Sequence, residues 1–347
     1  MASLLANSPL FVSIVVFACA AAVIGFFGIR MTHLARDVAA YTKLGEAFTG
    51  ALFIGATNSL SGMMASGTAA WKGEASLAVS NSLGGIAAQT LFLVLGDFLY
   101  RKNNLEYAAA SVGNLMMCAQ LLLLMCILAI AFTLPQASFW SIHPASLVLL
   151  ATYFFTMKLL IDAHDHPMWL PRMSRGTVQE GQSPAGAGRS IIVGKPLFLQ
   201  FALCAVVVAT AGWMMSAAGI VILRDTGLSA GIVGGLFIAV ATSLPELVVA
   251  VTAIRMGALT LAVGDIVGGS AFDMLFVALA DVLYRDGSIY VAIGQADKIW
   301  LGSTMLMTAV LLMGLLYRER KGIANIGLES VVILLVYVLT VAYLGFS

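Results

Sequence analysis

Apolar runs long enough to cross a bilayer recur from one end of this chain to the other, and nothing else in the sequence constrains its fold as strongly. A helix needs about 20 apolar residues to span the hydrocarbon. Hydropathy, charge and turn punctuation mark about ten such runs, near 10–29, 44–70, 75–99, 107–133, 142–161, 197–222, 229–254, 258–284, 290–317 and 324–345. With 61% of the 347 residues hydrophobic and 10% charged, a water-soluble surface of ordinary polarity cannot be built. The chain reads as an all-α, polytopic membrane protein whose surroundings are lipid. A net charge of +1 gives no reason to expect nucleic acid as a partner.

The first run, Leu10 to Ile29, follows an N-terminus without lysine or arginine and has no small-residue cleavage site in the right place, so it reads as a retained span. Cys19, Cys118, Cys126 and Cys204 all fall inside expected spans, where small apolar packing fits better than a disulfide or a metal cage. The one long polar stretch, 162–196, is rich in Gly, Ser, Pro and Gln and reads as a linker. It separates five spans in 1–161 from five in 197–347. Counting basic residues in the loops, with the N-terminus outside, places thirteen in the cytoplasm against four outside. The expected arrangement is a multi-pass protein of the cell (inner or plasma) membrane, both termini outside and the linker cytoplasmic.

The chain also repeats itself. A shift of 184 residues lays Gly50–Arg101 over Gly234–Arg285 without a gap, and 22 of the 52 pairs are identical. Apolar bias would match leucines and alanines, but not Ser59/Ser243, Gly84-Gly85/Gly268-Gly269, Asp97/Asp281 and Tyr100-Arg101/Tyr284-Arg285 in one register. An odd number of spans per half forces the second copy to enter the membrane the other way up. Inverted five-helix repeats of this kind build many secondary transporters, with the substrate site near mid-bilayer on broken helices.

The stretch ATSLPELVVA, residues 241–250, carries the chemistry. Pro245 has no N–H for the carbonyl of Ala241 and its ring opens that turn. A carbonyl freed in hydrocarbon is tolerable only where protein, water or an ion satisfies it. Thr242 and Ser243 add hydroxyls, and Glu246 adds a carboxylate; hard cations such as Na⁺ and Ca²⁺ take such oxygens. The next span supplies a second acid, Asp265, in LAVGDIVGGSAFD. Intramembrane acids are functional candidates by default. In the first half the matching positions are Asn58, Ser59, Ser61, Gly62 and Asn81: oxygens remain but both charges are gone.

These segments resemble the cation/Ca²⁺ exchanger superfamily, the sodium/calcium exchangers and their prokaryotic relatives. TGLSAGIVGGLFIAVATSLPEL followed by GDIVGGS is similar to the family's pattern, and GATNSLSGMMAS with SNSLGGIAA is a degenerate copy. The resemblance implies alternating access, with a bundle of eight spans holding the cation while the first span of each half slides across it. It also implies ligands at Thr242, Ser243, Glu246 and Asp265 in the second half, and at Asn58, Ser59 and Asn81 in the first. Three departures stand out: Gly62 where the family usually has a glutamate, and Leu77 and Leu261 where it typically has serines. Asp273, two turns beyond Asp265 and paired with Gln89 across the repeat, would add a third acid if it faces the site.

The expected function is therefore a secondary antiporter exchanging Ca²⁺ or another divalent cation for Na⁺ or H⁺. It would be no enzyme and have no cofactor, its partners being inorganic cations and the bilayer, with homodimer formation left open. Two alternatives use the same residues: a transport-dead homologue acting as cation sensor or scaffold, and an intramembrane aspartyl protease, which would need two acids sharing a proton. Asp97 with Arg101, and Asp281 with Arg285, read as i, i+4 salt bridges at span ends. The five tryptophans read mostly as interfacial, DAHDHP at 162–167 as a solvated loop, and the scattered methionines as packing.

Overall fold

The computed structural model describes residues 9–42, 55–100, 103–134, 142–165, 168, 170, 194–319 and 327–346. Its elements are α1 (Leu10–Thr42), α2 (Gly55–Asn58), α3 (Leu60–Trp71), α4 (Ala75–Leu99), α5 (Leu105–Ala109), α6 (Val112–Ala131) and α7 (Pro144–Asp165) in the first half. The second half has α8 (Lys195–Thr226), α9 (Ala230–Thr242), α10 (Leu244–Arg255), α11 (Leu259–Asp273), α12 (Leu275–Leu283), α13 (Ile289–Ala292), α14 (Gln295–Tyr317) and α15 (Leu328–Phe346). Most of the 162–196 linker, with His166 and Trp169, and Trp140 lie outside the described residues.

Eight described helices are long and apolar enough to span a membrane, or nine when α9 and α10, bent by 48° at Ser243, are taken as one broken span. The sequence reading expected about ten; the remaining one, 44–70, falls partly on residues that are not described and otherwise on the short helices α2 and α3. The first span is longer than 10–29 because its helix continues to Thr42.

Helix boundaries in the two halves follow the internal repeat closely. α2 and the last turn of α9, α3 and α10, and α4 and the α11–α12 span begin and end at positions 184 residues apart. The centre is built from one such pair: the most apolar window of α4 is 78% buried, against 17% for α1. α1 packs along α8, and this pair lies over α3 and α10. Large apolar side chains on the outer helices, among them Phe26, Phe155 and Leu203, are exposed, as lipid-facing residues are.

Close backbone approach fixes the centre. A side chain at Gly84 of α4 would collide with the backbone of Gly235, which lies in a π-helical stretch, Val233–Ile238, inside α9. Such stretches are frequent at functional sites. Trp300 backs this contact from α14, donating from Nε1 to the Gly231 carbonyl at 2.9 Å. It is fully buried, so it is a core residue and not an interfacial one.

Among the described residues Asp281 forms no i, i+4 salt bridge with Arg285, and Arg101, the expected mate of Asp97, lies outside them. Both aspartates are fully buried, and both accept hydrogen bonds from backbone N–H groups where later helices begin. Free N–H groups at a helix start carry partial positive charge that favours an anion. Such groups draw both carboxylates inward at the ends of their spans.

Candidate cation site

α9 breaks at Ser243, whose backbone leaves helical geometry, and α10 restarts with Leu244, Pro245 and Glu246 in its first turn. A proline tolerates that position because its missing N–H would have had no helical partner there, while the unpaired N–H groups around it favour the Glu246 carboxylate. The break opens a cavity of about 10 Å³ lined by Ser59, Gly62, Asn81, Gly85, Thr242, Ser243, Glu246, Asp273 and Phe276. That is room for about one water molecule, a space on the scale of desolvated ions.

Of the residues expected from sequence, Ser59, Asn81, Thr242, Ser243 and Glu246 line this cavity, and Asn58, Ala241 and Asp265 do not. Asn58 is buried beside Ser59 but accepts a hydrogen bond from Thr32 Oγ1 of α1 at 2.6 Å, tying two helices together. Asp265 is half-buried on α11, one turn after the 50% exposed Leu261; it does not line the cavity but lies near enough to Glu246 for the two charges to interact.

Asp273 supplies the second acid in the cavity. It is buried at the end of α11; its Oδ2 accepts from Gln89 Nε2 at 2.6 Å, and its carbonyl accepts from Ser82 Oγ at 2.6 Å. Gln89 is held in turn by Ser270 Oγ, which donates to its Oε1 at 2.7 Å. Asp273 and Gln89 are repeat mates, so the pseudo-symmetry axis passes between them. The equivalence with Gln89, visible in the sequence, was the signal that could have ranked Asp273 above Asp265.

The oxygens left over define what the cavity can hold. Asn81 Nδ2 is committed to the Gly62 carbonyl at 3.2 Å and Ser66 Oγ at 2.8 Å, which leaves its Oδ1 without a partner. Glu246 Oε2 and Asp273 Oδ1 are likewise buried without hydrogen-bond partners. Unpaired buried acceptors are costly, and two carboxylates with an amide oxygen and hydroxyls form a hard-cation set. Among the described residues no group of three or more His, Cys, Asp or Glu is placed to hold a metal, so the two carboxylates act with neutral oxygens rather than with a third acid. Where the resemblance implies a first-half glutamate, a Cβ added at Gly62 would sit 2.9 Å from the Phe276 ring. The ring occupies that space.

A helical membrane bundle built from an internal repeat, with a broken helix and two buried acids around a small polar cavity, has the architecture of a secondary transporter. The family described as sodium/calcium exchanger protein matches residues 12–161 and 196–346. The chain belongs to that family, and is an integral, multi-pass membrane protein of the cation-exchanger class. No curated protein matches it. Among solved structures it is similar to native YfkE (TM-score 0.65, 11% identity, all of both chains covered) and to the H⁺/Ca²⁺ exchanger CAX (TM-score 0.65, 13% identity, 98% of this chain and 88% of that one). It is also similar to the sodium-calcium exchanger NCX_Mj (TM-score 0.55, 15% identity, 96% of this chain and 99% of that one). At these identities the likeness is one of fold.

Proposed function

We propose that the chain is a secondary antiporter that exchanges a divalent cation, Ca²⁺ being the best match to its oxygens, for H⁺ or Na⁺ by alternating access. The observation that carries the reading is the pair of partnerless carboxylate oxygens, on Glu246 and Asp273, in one small cavity at a helix break. One divalent cation, two monovalent cations or two protons would each neutralise that pair. Thr242, Ser243, Ser59 and Asn81 complete the ligand set, and the sliding partners are α1 and α8. The basic loops favour an orientation with both termini outside.

A cation-binding homologue that does not transport is the second reading, favoured by Phe276 in the space of the missing first-half acid. Uptake of ⁴⁵Ca²⁺ into proteoliposomes under imposed pH and Na⁺ gradients separates the two. Gradient-driven uptake, lost in Glu246→Gln, is the expected result. Ca²⁺-dependent thermal stabilisation without uptake under either gradient would establish the sensor instead.

A further inference from the structure

The repeat supplies an internal control on a second group of acids, remote from the cation cavity. Asp97 Oδ1 accepts from Leu105 N at 2.7 Å, and its Oδ2 from Gly327 N at 2.9 Å and Ser330 Oγ at 3.0 Å. Asp281 repeats part of the arrangement 184 residues on: its Oδ2 accepts from His143 N and Ser146 Oγ, both at 2.7 Å, while its Oδ1 has no hydrogen-bond partner. At Oδ2 the two junctions are equivalent, Gly327 and Ser330 matching His143 and Ser146. They differ in what surrounds the serine. Ser146 Oγ meets the Tyr290 hydroxyl at 2.7 Å, while Ser330 Oγ meets Glu106 Oε1 at 3.5 Å. Position 145 is alanine, and its mate is Glu329.

The second junction therefore shows that the helix-capping scaffold needs no further acid, yet the first holds two. Glu106 is 1% and Glu329 7% exposed, their carboxyl groups are near enough to act on each other, and each has one oxygen without a donor. The single hydroxyl proton of Ser330 is taken by Asp97 at the shorter distance. Among the described residues no lysine or arginine forms an ion pair with either glutamate. Among the described residues the charged neighbours on the packed elements are Asp97, Glu319, whose Oε2 accepts from Leu328 N, and Arg318, which donates to the Tyr107 carbonyl at 3.2 Å and lies over that ring.

We propose that Glu106 and Glu329 form a second, non-transporting site whose ligand is a proton shared between the two carboxyl groups, and that its occupancy keeps the α5–α15 junction closed. Two acceptor-only oxygens facing one another in a dry site repel unless one carries hydrogen. Tyr290 is a standing O–H donor at the equivalent position, and a protonated glutamate reproduces it. Burial, then the Asp97 charge, then that of Glu329, hold the Glu106 carboxyl well above the usual carboxylate range.

A carboxyl raised above its unfolded value of about 4.3 keeps its proton in the folded chain at pH values where the unfolded chain has lost it. Its stabilising effect is complete below the unfolded value and is lost as pH rises toward the folded one. The test is thermal melting of the full-length chain in detergent from pH 5 to 9, in EDTA and in Ca²⁺. Wild type, Glu106→Gln and a Glu106→Tyr/Glu329→Ala double variant, which copies the other junction, are compared. The expected result is a melting temperature that falls with rising pH more steeply in wild type than in either variant, the difference being unaffected by Ca²⁺. Parallel profiles in all three, or a wild-type profile that Ca²⁺ flattens and the variants lack, would overturn the assignment to a proton.

Discussion

Asp273 and Asp265 stand eight residues apart on one helix, which at about 100° per residue turns the second carboxylate some 80° away from the first. That rotation separates an acid that lines the cavity from one that does not. Asp273→Asn would leave Gln89 Nε2 without its charged acceptor and turn a donor toward the cation, so it should weaken cation-dependent thermal stabilisation on the order of a hundredfold or more, since breaking a buried charged partnership costs about 3–5 kcal/mol. Asp265→Asn should shift it far less. The opposite ranking in a Ca²⁺ titration would mean that the cavity is not the binding site. The sequence made Glu246 legible because a proline break beside an intramembrane acid has few other uses. It could not rank the two aspartates, since a motif resemblance fixes a segment while only helix rotation fixes a face.

The long helices α1 and α8 meet the broken helices through glycine on both sides of the repeat. A Cβ at Gly28 would strike the Pro245 ring, and a Cβ at the equivalent Gly212 would strike the backbone of Ser61. Neither a proline ring nor a backbone carbonyl can rotate away, so Gly28→Ala or Gly212→Ala must displace the helix, an overpacking cost of about 1–3 kcal/mol. If α1 and α8 slide past the cavity during exchange, these two contacts are what they slide on. Each variant should slow flux at least about tenfold while leaving the Ca²⁺ dependence of thermal stabilisation within about threefold, because 1.4 kcal/mol is a factor of ten and no cation ligand is touched. Unchanged flux in both would mean that the helices do not move across these points. Spans, repeat and helix breaks were readable here because lipid leaves the backbone few options. The inward turn of Asp97 and Asp281 was not, because i, i+4 spacing says nothing about N–H groups arriving from helices elsewhere in the chain.

Across the whole molecule the two halves share a scaffold and divide the chemistry: both acids of the cation cavity come from the second half, and the extra acids of the proton site lie in the junction that the first-half α5 makes with α15. Electrostatics of the bilayer then set the transport cycle. A desolvated net charge crossing the membrane interior is expensive, and the occupied cavity escapes that cost only when its load balances Glu246 and Asp273. One Ca²⁺ does so, as do two protons or two Na⁺, whereas three Na⁺ would leave the carrier charged. Gly62 and Phe276 stand where a third carboxylate would be needed to host such a load. Exchange should therefore be electroneutral: in proteoliposomes, Ca²⁺ uptake driven by a pH or Na⁺ gradient should proceed at the same rate with and without a valinomycin-clamped potential, and solid-supported-membrane recordings should show no sustained current. A robust current with the polarity of excess monovalent charge would mean that a further carboxylate enters the loaded site, Asp265 being the nearest in sequence, and that two acids do not set the stoichiometry.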